Sequence, residues 1–530
     1  MEEGNYKLSK IKFHGKKVYL SIQGDFVLED YCTMAYRDPL KKETKQFDFA
    51  TSKNTGNRMT VVMDFDQVPL KPLYYDFWVV KKDGKKIPIK AGRLAKLLHN
   101  PFYQDGFRQG DMILYPYIHQ GIISFCYRKE QEWDKTSFRL KELLALFLYQ
   151  FLKKKLEKQK SILFYEKYCY GAQDNAYYAF LYAMEHPEVM EGKTIYYVID
   201  PKSPDYKAVK RYRSHVIPFM SLKHMLSLLS CKLLVSTDTK AHAYCYRKRH
   251  SYLQGRFKKK PLVFLQHGVI SLKDVRVAYA KEPNHPCDLF IVSTRPEKEI
   301  IERDYGYLPE EVALTGLARW DAIEDKSKGR NQILFMPTWR NYLDEISREE
   351  FVKSKYYKSL VGVLQDETLG NVLRNHEANL VFYVHSKFRQ YMDLFADHMN
   401  NENLDVISVS AFEKKPLNEL LMESSMLMTD YSSTSYDMFY MGKPVVFYQF
   451  DREDYQKAHG SHIDLKKDLF GPSGEKKEEI PGILAEILDR NFVLSDKEKR
   501  EREKLFPKVD RENSKRIWQA MEERIFKTWN

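Results

Sequence analysis

The sequence predicts an α/β protein in which two Rossmann-like domains face across a cleft, preceded by a small β-rich, sandwich-like accessory domain. Three observations carry that expectation. From Ser161 onward, short uninterrupted apolar runs alternate with helical stretches, the signature of parallel strands covered on both faces. The alternation breaks at the polar stretch 321–331 and then restarts. Before residue 135 the texture differs: apolar and polar residues alternate in short runs separated by turn signals.

The elements follow in order. Residues 1–135 carry runs such as 18–22 and 59–63, punctuated by Asp83-Gly84 and Asn54-Thr55-Gly56. No catalytic constellation stands out there, so the expectation is an accessory domain. Residues 136–160 read as an amphipathic helix or linker. Leu140, Leu143, Leu144, Phe147, Phe151 and Leu152 share one face, and Lys153, Lys154, Lys155, Lys158 and Lys160 follow. The leading expectation is a helix packed between domains, and the alternative is one lying in a membrane interface. Residues 161–325 form the first Rossmann-like domain, with strands at 162–165, 195–199, 233–236, 262–265, 289–292 and 312–314. Residues 326–530 form the second, with strands at 333–336, 380–384, before Asp430 and at 445–448. The charged helical segment 495–530 is long enough to return over the first domain.

Composition limits the function classes. The 530 residues are too many for one core, and 43% hydrophobic content excludes wholesale disorder. No apolar run approaches the roughly 18 residues a membrane span needs. The first residues, Met1-Glu2-Glu3-Gly4-Asn5-Tyr6-Lys7, lack a basic-then-apolar leader, so the expected location is cytoplasmic. Six scattered cysteines without a Cys-x-x-Cys pair predict reduced thiols and no zinc or disulfide framework. The net charge of +13 predicts a positive surface for a polyanion or an anionic membrane. No nucleic-acid-binding module matches, so nucleic acid is not an expected partner.

The candidate chemistry sits where strands end. In Met428-Thr429-Asp430-Tyr431-Ser432-Ser433, a buried strand enters a hydroxyl-rich loop and then a helix, a place where α/β sheets hold phosphates. Ser432 and Ser433 can donate to an anion, and the helix dipole adds a favourable field. That points to a nucleotide-diphosphate substrate. His267-Gly268, Thr338-Trp339-Arg340 and His385-Ser386-Lys387 occupy equivalent positions after other strands, and carboxyl ends of strands converge on the ligand crevice.

Taken with Gly442-Lys443-Pro444, Pro337-Thr338-Trp339-Arg340, residues 315–321 and Gln266-His267-Gly268, the Asp-Tyr-Ser-Ser loop resembles the CDP-glycerol glycerophosphotransferase family, from Ser161 to the carboxyl terminus. That family builds teichoic acids and related polyol-phosphate polymers. The resemblance implies a GT-B fold, a donor held mainly by the second domain, and no metal or other cofactor. It implies His267 and His385 as catalytic residues, with His267 the base for the acceptor hydroxyl. It implies Thr338, Arg340, Lys387, Asp430, Ser432 and Ser433 as donor-binding residues. Glu166 and Asp174 resemble the family's opening acidic motif, as acceptor-side or structural residues. The layout with a β-rich amino-terminal domain is more similar to ribitol-phosphate transferases than to glycerol-phosphate primases.

The expected reaction moves polyol phosphate from a CDP-polyol, with ribitol favoured over glycerol, to a lipid-linked teichoic acid precursor or growing chain, at the inner face of the membrane. Val269-Ile270 stands where Thr-Pro is usual, Ser386 where proline is common, and Gln266 where tryptophan is frequent; these departures bear on donor and acceptor identity. Two rivals stand beside this reading. One is a GT-B glycosyltransferase using a nucleotide sugar, and the other is a non-catalytic teichoic acid binding protein.

Overall fold

The computed structural model describes residues 6–36, 46–72, 74–92, 106–119, 121–245, 251–283, 285–343, 346–383, 391–396, 404–407 and 416–529. The chain divides into two compact units. One comprises Met1–Lys155 with Met220–Ser230 and Tyr244–Lys259; the other comprises Leu156–Phe219, Cys231–Ala243 and Lys260–Asn530. Both Rossmann-like stretches therefore fall in a single unit.

Among its described residues the first unit contains ten strands: β1 (Lys7–His14), β2 (Lys17–Gln23), β3 (Tyr31–Tyr36), β4 (Gln46–Asn54), β5 (Arg58–Asp64), β6 (Tyr74–Val80), β7 (Lys86–Pro88), β8 (Phe107–Gln109), β9 (Met112–His119) and β10 (Ile122–Lys129). They form one antiparallel sheet in the order β1-β2-β5-β4-β3-β6-β10-β9-β8, with β7 on β6. Residues 89–91 stitch β1 to β10. Leu8 donates to the Lys90 carbonyl at 2.8 Å, Lys90 to that of Tyr6 at 2.9 Å, and Ile123 to that of Ile89 at 2.9 Å. The sheet thus closes around one interior, where Leu8, Leu20, Val61, Val79 and Phe125 are fully buried. The sequence predicts a sandwich-like domain; the strands instead belong to one continuous, closed sheet. Both forms need the same alternation, and the closing hydrogen bonds involve backbone alone.

Helix Thr136–Glu157 follows. Its buried side carries Arg139, Glu142, Ala145 and Tyr149. The Glu142 carboxylate accepts from the Tyr244 hydroxyl at 2.7 Å, the Ser251 hydroxyl at 2.9 Å and the Tyr252 N–H at 3.2 Å. The apolar stripe of Leu140, Leu143, Leu144, Phe147 and Phe151 is exposed, contrary to the expectation of a face packed between domains. Hydrogen bonding of Glu142 decides which side turns inward. Among the described residues no helix is long and apolar enough to cross a membrane.

The second unit holds two parallel sheets. The first consists of β11 (Ser161–Tyr165), β12 (Thr194–Ile199), β13 (Val216–Pro218), β14 (Leu233–Ser236), β15 (Leu262–Phe264), β16 (Leu289–Val292) and β17 (Val312–Leu314), ordered β13-β12-β11-β14-β15-β16-β17. The second consists of β18 (Gln332–Met336), β19 (Asn379–Tyr383), β20 (Leu404–Ile407), β21 (Met426–Thr429), β22 (Val445–Tyr448) and β23 (Ser473–Gly474), ordered β20-β19-β18-β21-β22-β23. Both reverse direction beside their first strand, and such switch points open a crevice at the carboxyl ends. The central strands are buried throughout, which explains their unbroken apolar runs. Helix Asn513–Arg524 returns to the first sheet: Ile517, Trp518 and Met521 join the core of Ile162, Phe164 and Phe180. Each such side chain contributes about 1.5–3 kcal/mol by leaving water.

Candidate active site

The site starts at the turn after β11. Glu166 is buried, and its carboxylate accepts the N–H groups of Asp174 at 2.8 Å, Gln173 at 3.1 Å and Tyr177 at 3.1 Å. Burial, then the neighbouring Asp174, push this carboxyl up to about 8 against the pull of those three donors. The result is a fixed loop that delivers Asp174 to the start of helix Asn175–Glu185, where its side chain accepts the Asn175 N–H. Asn175 in turn donates to the carbonyl of Gln266 at 2.9 Å, just after β15. Gln266 is fully buried with φ at +62°, a left-handed conformation that costs a non-glycine residue about 1–3 kcal/mol and recurs at functional sites.

Next in the chain is His267, an exposed side chain whose Nδ1 lies 2.5 Å from Asp174 Oδ2. The charge of Asp174, then its hydrogen bond, raise the imidazole above its ordinary value despite the nearby charges of Arg319 and Lys167. Burial would raise Asp174, but the charges of His267 and Arg319 outweigh it and hold that carboxyl below the usual range. With Nδ1–H donated to Asp174, the neutral ring has its lone pair on Nε2.

Arg319 joins the two sheets. Its Nη1 donates to Asp174 Oδ1 at 3.0 Å and to the His267 carbonyl at 2.9 Å, while Nε and Nη2 grip Asp437 at 3.0 Å each. Trp320 Nε1 also donates to Asp437, at 2.6 Å. Asp437 lies on the seven-residue helix Thr434–Tyr440 that follows Ser432 and Ser433. A methyl group on Gly268 would come within 2.4 Å of Ser433 Oγ, so any larger residue there would force one of the two loops to shift. Between them lies a cavity of about 350 Å³, lined by Lys167, Asp174, His267, Arg319, Ser433 and Asp437 among others.

The other sequence-predicted residues divide. Ser432 Oγ shares a hydrogen bond with Thr434 Oγ at 2.7 Å. Thr338 has a buried hydroxyl without a hydrogen-bond partner among the described residues. Arg340 and Asp430 do not open onto the cavity described. Arg340 is fully buried; Nε and Nη2 bind Asp451 at 2.7 and 2.9 Å, Nη2 also binds Asp430 at 2.8 Å, and Nη1 binds the Thr338 carbonyl at 2.5 Å. Asp430 meanwhile accepts the N–H of Thr338 at 2.9 Å and of Tyr431 at 2.6 Å. The donor-contacting place expected of this pair becomes one beneath the loop, because every guanidinium nitrogen is already engaged. The sequence reading expected a helix dipole behind Ser433, and a helix of seven residues supplies little of one. Lys443, from the Gly-Lys-Pro motif, is buried elsewhere and donates to the carbonyls of Met422 at 2.6 Å and Ser424 at 2.7 Å, ending helix Leu417–Glu423. His385 and Lys387 lie outside the described residues. Sequence reasoning gave no role to Arg319, Asp437 or Lys167. A signal existed for two of them: Arg319 and Asp437 each interrupt apolar surroundings, as paired buried charges do.

The minor teichoic acid biosynthesis protein GgaB of Bacillus subtilis (strain 168) is 28% identical over 361 residues, 66% of this chain and 38% of that protein. The teichoic acid ribitol-phosphate polymerase TarK of Staphylococcus aureus (strain NCTC 8325 / PS 47) is 25% identical over 236 residues, 42% of this chain and 41% of that one. The chain thus spans about four-tenths of either relative. A teichoic acid glycerol-phosphate transferase of the same Staphylococcus aureus strain is 23% identical over 62% of this chain and 84% of its own. A solved structure of the wall teichoic acid polymerase TagF superposes with a TM-score of 0.50 at 18% identity, covering 74% of this chain and 94% of that one; it shows a shared fold. The family described as CDP-glycerol:poly(glycerophosphate) glycerophosphotransferase matches residues 147–523, well over half the sequence. The chain belongs to that family.

Proposed function

We propose that this protein transfers a polyol phosphate from a CDP-polyol to a lipid-linked teichoic acid precursor or growing chain and releases CMP. Ribitol phosphate is the favoured unit and glycerol phosphate the alternative. The observation that carries the reading is the Asp174–His267 pair placed opposite Ser433 across one cavity, in a member of this family. The two sheets are read as the halves of a GT-B enzyme. Names of the relatives include both ribitol and glycerol units, which supports the polyol-phosphate class.

In the reaction an acceptor hydroxyl attacks the polyol-bearing phosphorus, the bond from that phosphorus to the bridging oxygen breaks, and CMP departs. The chain's part is positioning and charge stabilisation. His267 Nε2 takes the hydroxyl proton, Asp174 orients the ring and stabilises the imidazolium, and Arg319 holds Asp174. Ser432 and Ser433 face the donor phosphates, and Thr338 stands on the donor side in this reading. Arg340 and Asp430 keep the donor loop in shape. His385 and Lys387 complete the donor side in this reading.

The partner at the surface is an anionic membrane. The stripe of helix Thr136–Glu157 exposes Phe147 at 61% and Phe151 at 71%, and Lys154, Lys155 and Lys158 continue it at helical spacing. An acceptor held in the membrane and a protein docked on it then share one surface.

The test is to incubate the protein with a lipid-linked acceptor and either CDP-ribitol, CDP-glycerol or a nucleotide sugar, measuring nucleotide release and product mass. CMP with a polyol-phosphate mass increment supports the proposal. A hexose increment from the nucleotide sugar replaces it with glycosyl transfer, and no product from any donor removes it.

A further inference from the structure

A buried carboxylate that the transfer chemistry does not use grips the loop of His267 from the side of the first sheet. Glu297 stands in the first turn of helix Arg295–Tyr305, where its N–H donates to the Thr294 hydroxyl at 3.2 Å. Its side chain is fully buried, and among the described residues no cation pairs with it. Burial raises its carboxyl above the ordinary range, against the pull of the hydrogen bonds it accepts. Both oxygens accept. Oε2 takes the N–H and the hydroxyl of Ser293 at 2.7 Å each, contacts local to the helix start. Oε1 takes the Ile270 N–H at 2.6 Å, from another loop 27 positions earlier. Removing a carboxylate from water costs several kcal/mol. A helix cap needs no such burial, whereas a contact to Ile270 does, because Ile270 is itself buried.

Ile270 closes the turn 266–270, which presents His267. Gln266 opens that turn in its left-handed conformation and donates from Nε2 to the Ile291 carbonyl of β16. Helix Arg295–Tyr305 follows β16 directly, so both ends of the turn are fixed to one strand and the helix after it. His267 projects from between those two fixed points to meet Asp174. Ser271, next in the chain, has a separate anchor. Its carbonyl accepts the His462 N–H at 2.9 Å, and its hydroxyl shares a hydrogen bond with that of Tyr436 at 2.6 Å.

We propose that Glu297 is a positioning residue for His267: its Oε1, through the Ile270 N–H, fixes the turn that keeps the imidazole on Asp174. The effect on turnover rests on the transfer reading above, while the first test needs no donor.

That test follows the protonation of His267 by NMR of the full chain labelled at its histidines. The wild-type imidazole should hold its proton above the ordinary value of about 6.5, because Asp174 stabilises the charged ring. Glu297→Gln removes the charge but keeps an acceptor oxygen, so the midpoint should stay. Glu297→Leu removes both and should weaken proton binding about tenfold, the low end of what a neighbouring opposite charge supplies. In the transfer assay Glu297→Leu should lower kcat about a hundredfold with the donor KM unchanged, the scale of a misplaced reacting group. Ser293→Ala, which deletes one partner of the other oxygen, should leave kcat intact. Hydrogen exchange of the wild-type chain covers the case of a variant that fails to fold: the Ile270 amide should be protected. Fast exchange at Ile270, an unchanged midpoint in Glu297→Leu, or equal shifts in the Leu and Gln variants would overturn the proposal. A midpoint that falls in Glu297→Leu alone, with no CMP release by the wild-type chain, would uphold the positioning role and sink the transfer reading.

Discussion

His267 is held at Nδ1 and open at Nε2, and that asymmetry sets what its loss must do. General-base help is typically worth about 10²–10⁴-fold. His267→Ala is expected to lower kcat by that much with an unchanged melting profile, because the side chain is exposed. Near-wild-type turnover would take His267 out of the reaction. Arg340 is the opposite case, a guanidinium sealed between two carboxylates. Removing one partner of a buried ion pair leaves an uncompensated charge and costs about 3–5 kcal/mol. Arg340→Met should therefore lower stability in urea unfolding by that order. Unchanged stability with only a raised donor KM would mean that Arg340 reaches the donor after all. Position in the sequence does not separate the two residues, since each follows a strand that points at the crevice. Burial does.

Between elements, the loop pair Gly268 and Ser433 is the tightest junction of the site. Gly268→Ala pushes a methyl group into Ser433 and should raise the donor KM several-fold. Adding Ser433→Gly should recover part of that loss, a coupling expected of residues in contact. Additive losses in the double variant would show that the loops act separately. Helix Thr136–Glu157 makes the second prediction at this scale. Phe147→Ser with Phe151→Ser should reduce sedimentation with phosphatidylglycerol vesicles more than tenfold, since each phenylalanine contributes about 1.5–3 kcal/mol when buried. Unchanged sedimentation would assign the stripe another partner. The elements themselves were legible in proportion to burial. The central strands announce themselves as apolar runs, whereas β13, β20 and β23 were missed. Each of those lies at an edge, pairs on one side only and is at most four residues long. The stripe on the helix was legible as well, but its orientation depends on Glu142 meeting Tyr244 and Ser251, more than a hundred residues away.

Across the whole molecule, the legible part of the site was its list of strand ends: His267, Thr338 and Ser432–Ser433 stand there because parallel sheets present their ligand groups at those points. The tie that brings His267 and Ser433 to one cavity was not legible. Arg319 meets Asp437 across 118 positions of sequence, and the two sheets share it. Helix Asn513–Arg524 repeats the lesson, since the last helix of the chain completes the core of the first sheet. The candidate site thus depends on long-range pairing, with the Asp174–His267 pair at its centre. The measurement that tests it most directly is the pH dependence of kcat for CMP release, in the wild-type chain and in Asp174→Asn. Because Asp174 raises the imidazole, the neutral base appears only at higher pH, so wild-type activity should rise with pH along a limb displaced above the ordinary histidine range near 6.5. Asp174→Asn removes that charge, so the limb should move to lower pH while the plateau falls. A limb at the same pH in both proteins would contradict the account, because the group that titrates would then not be a histidine held by Asp174.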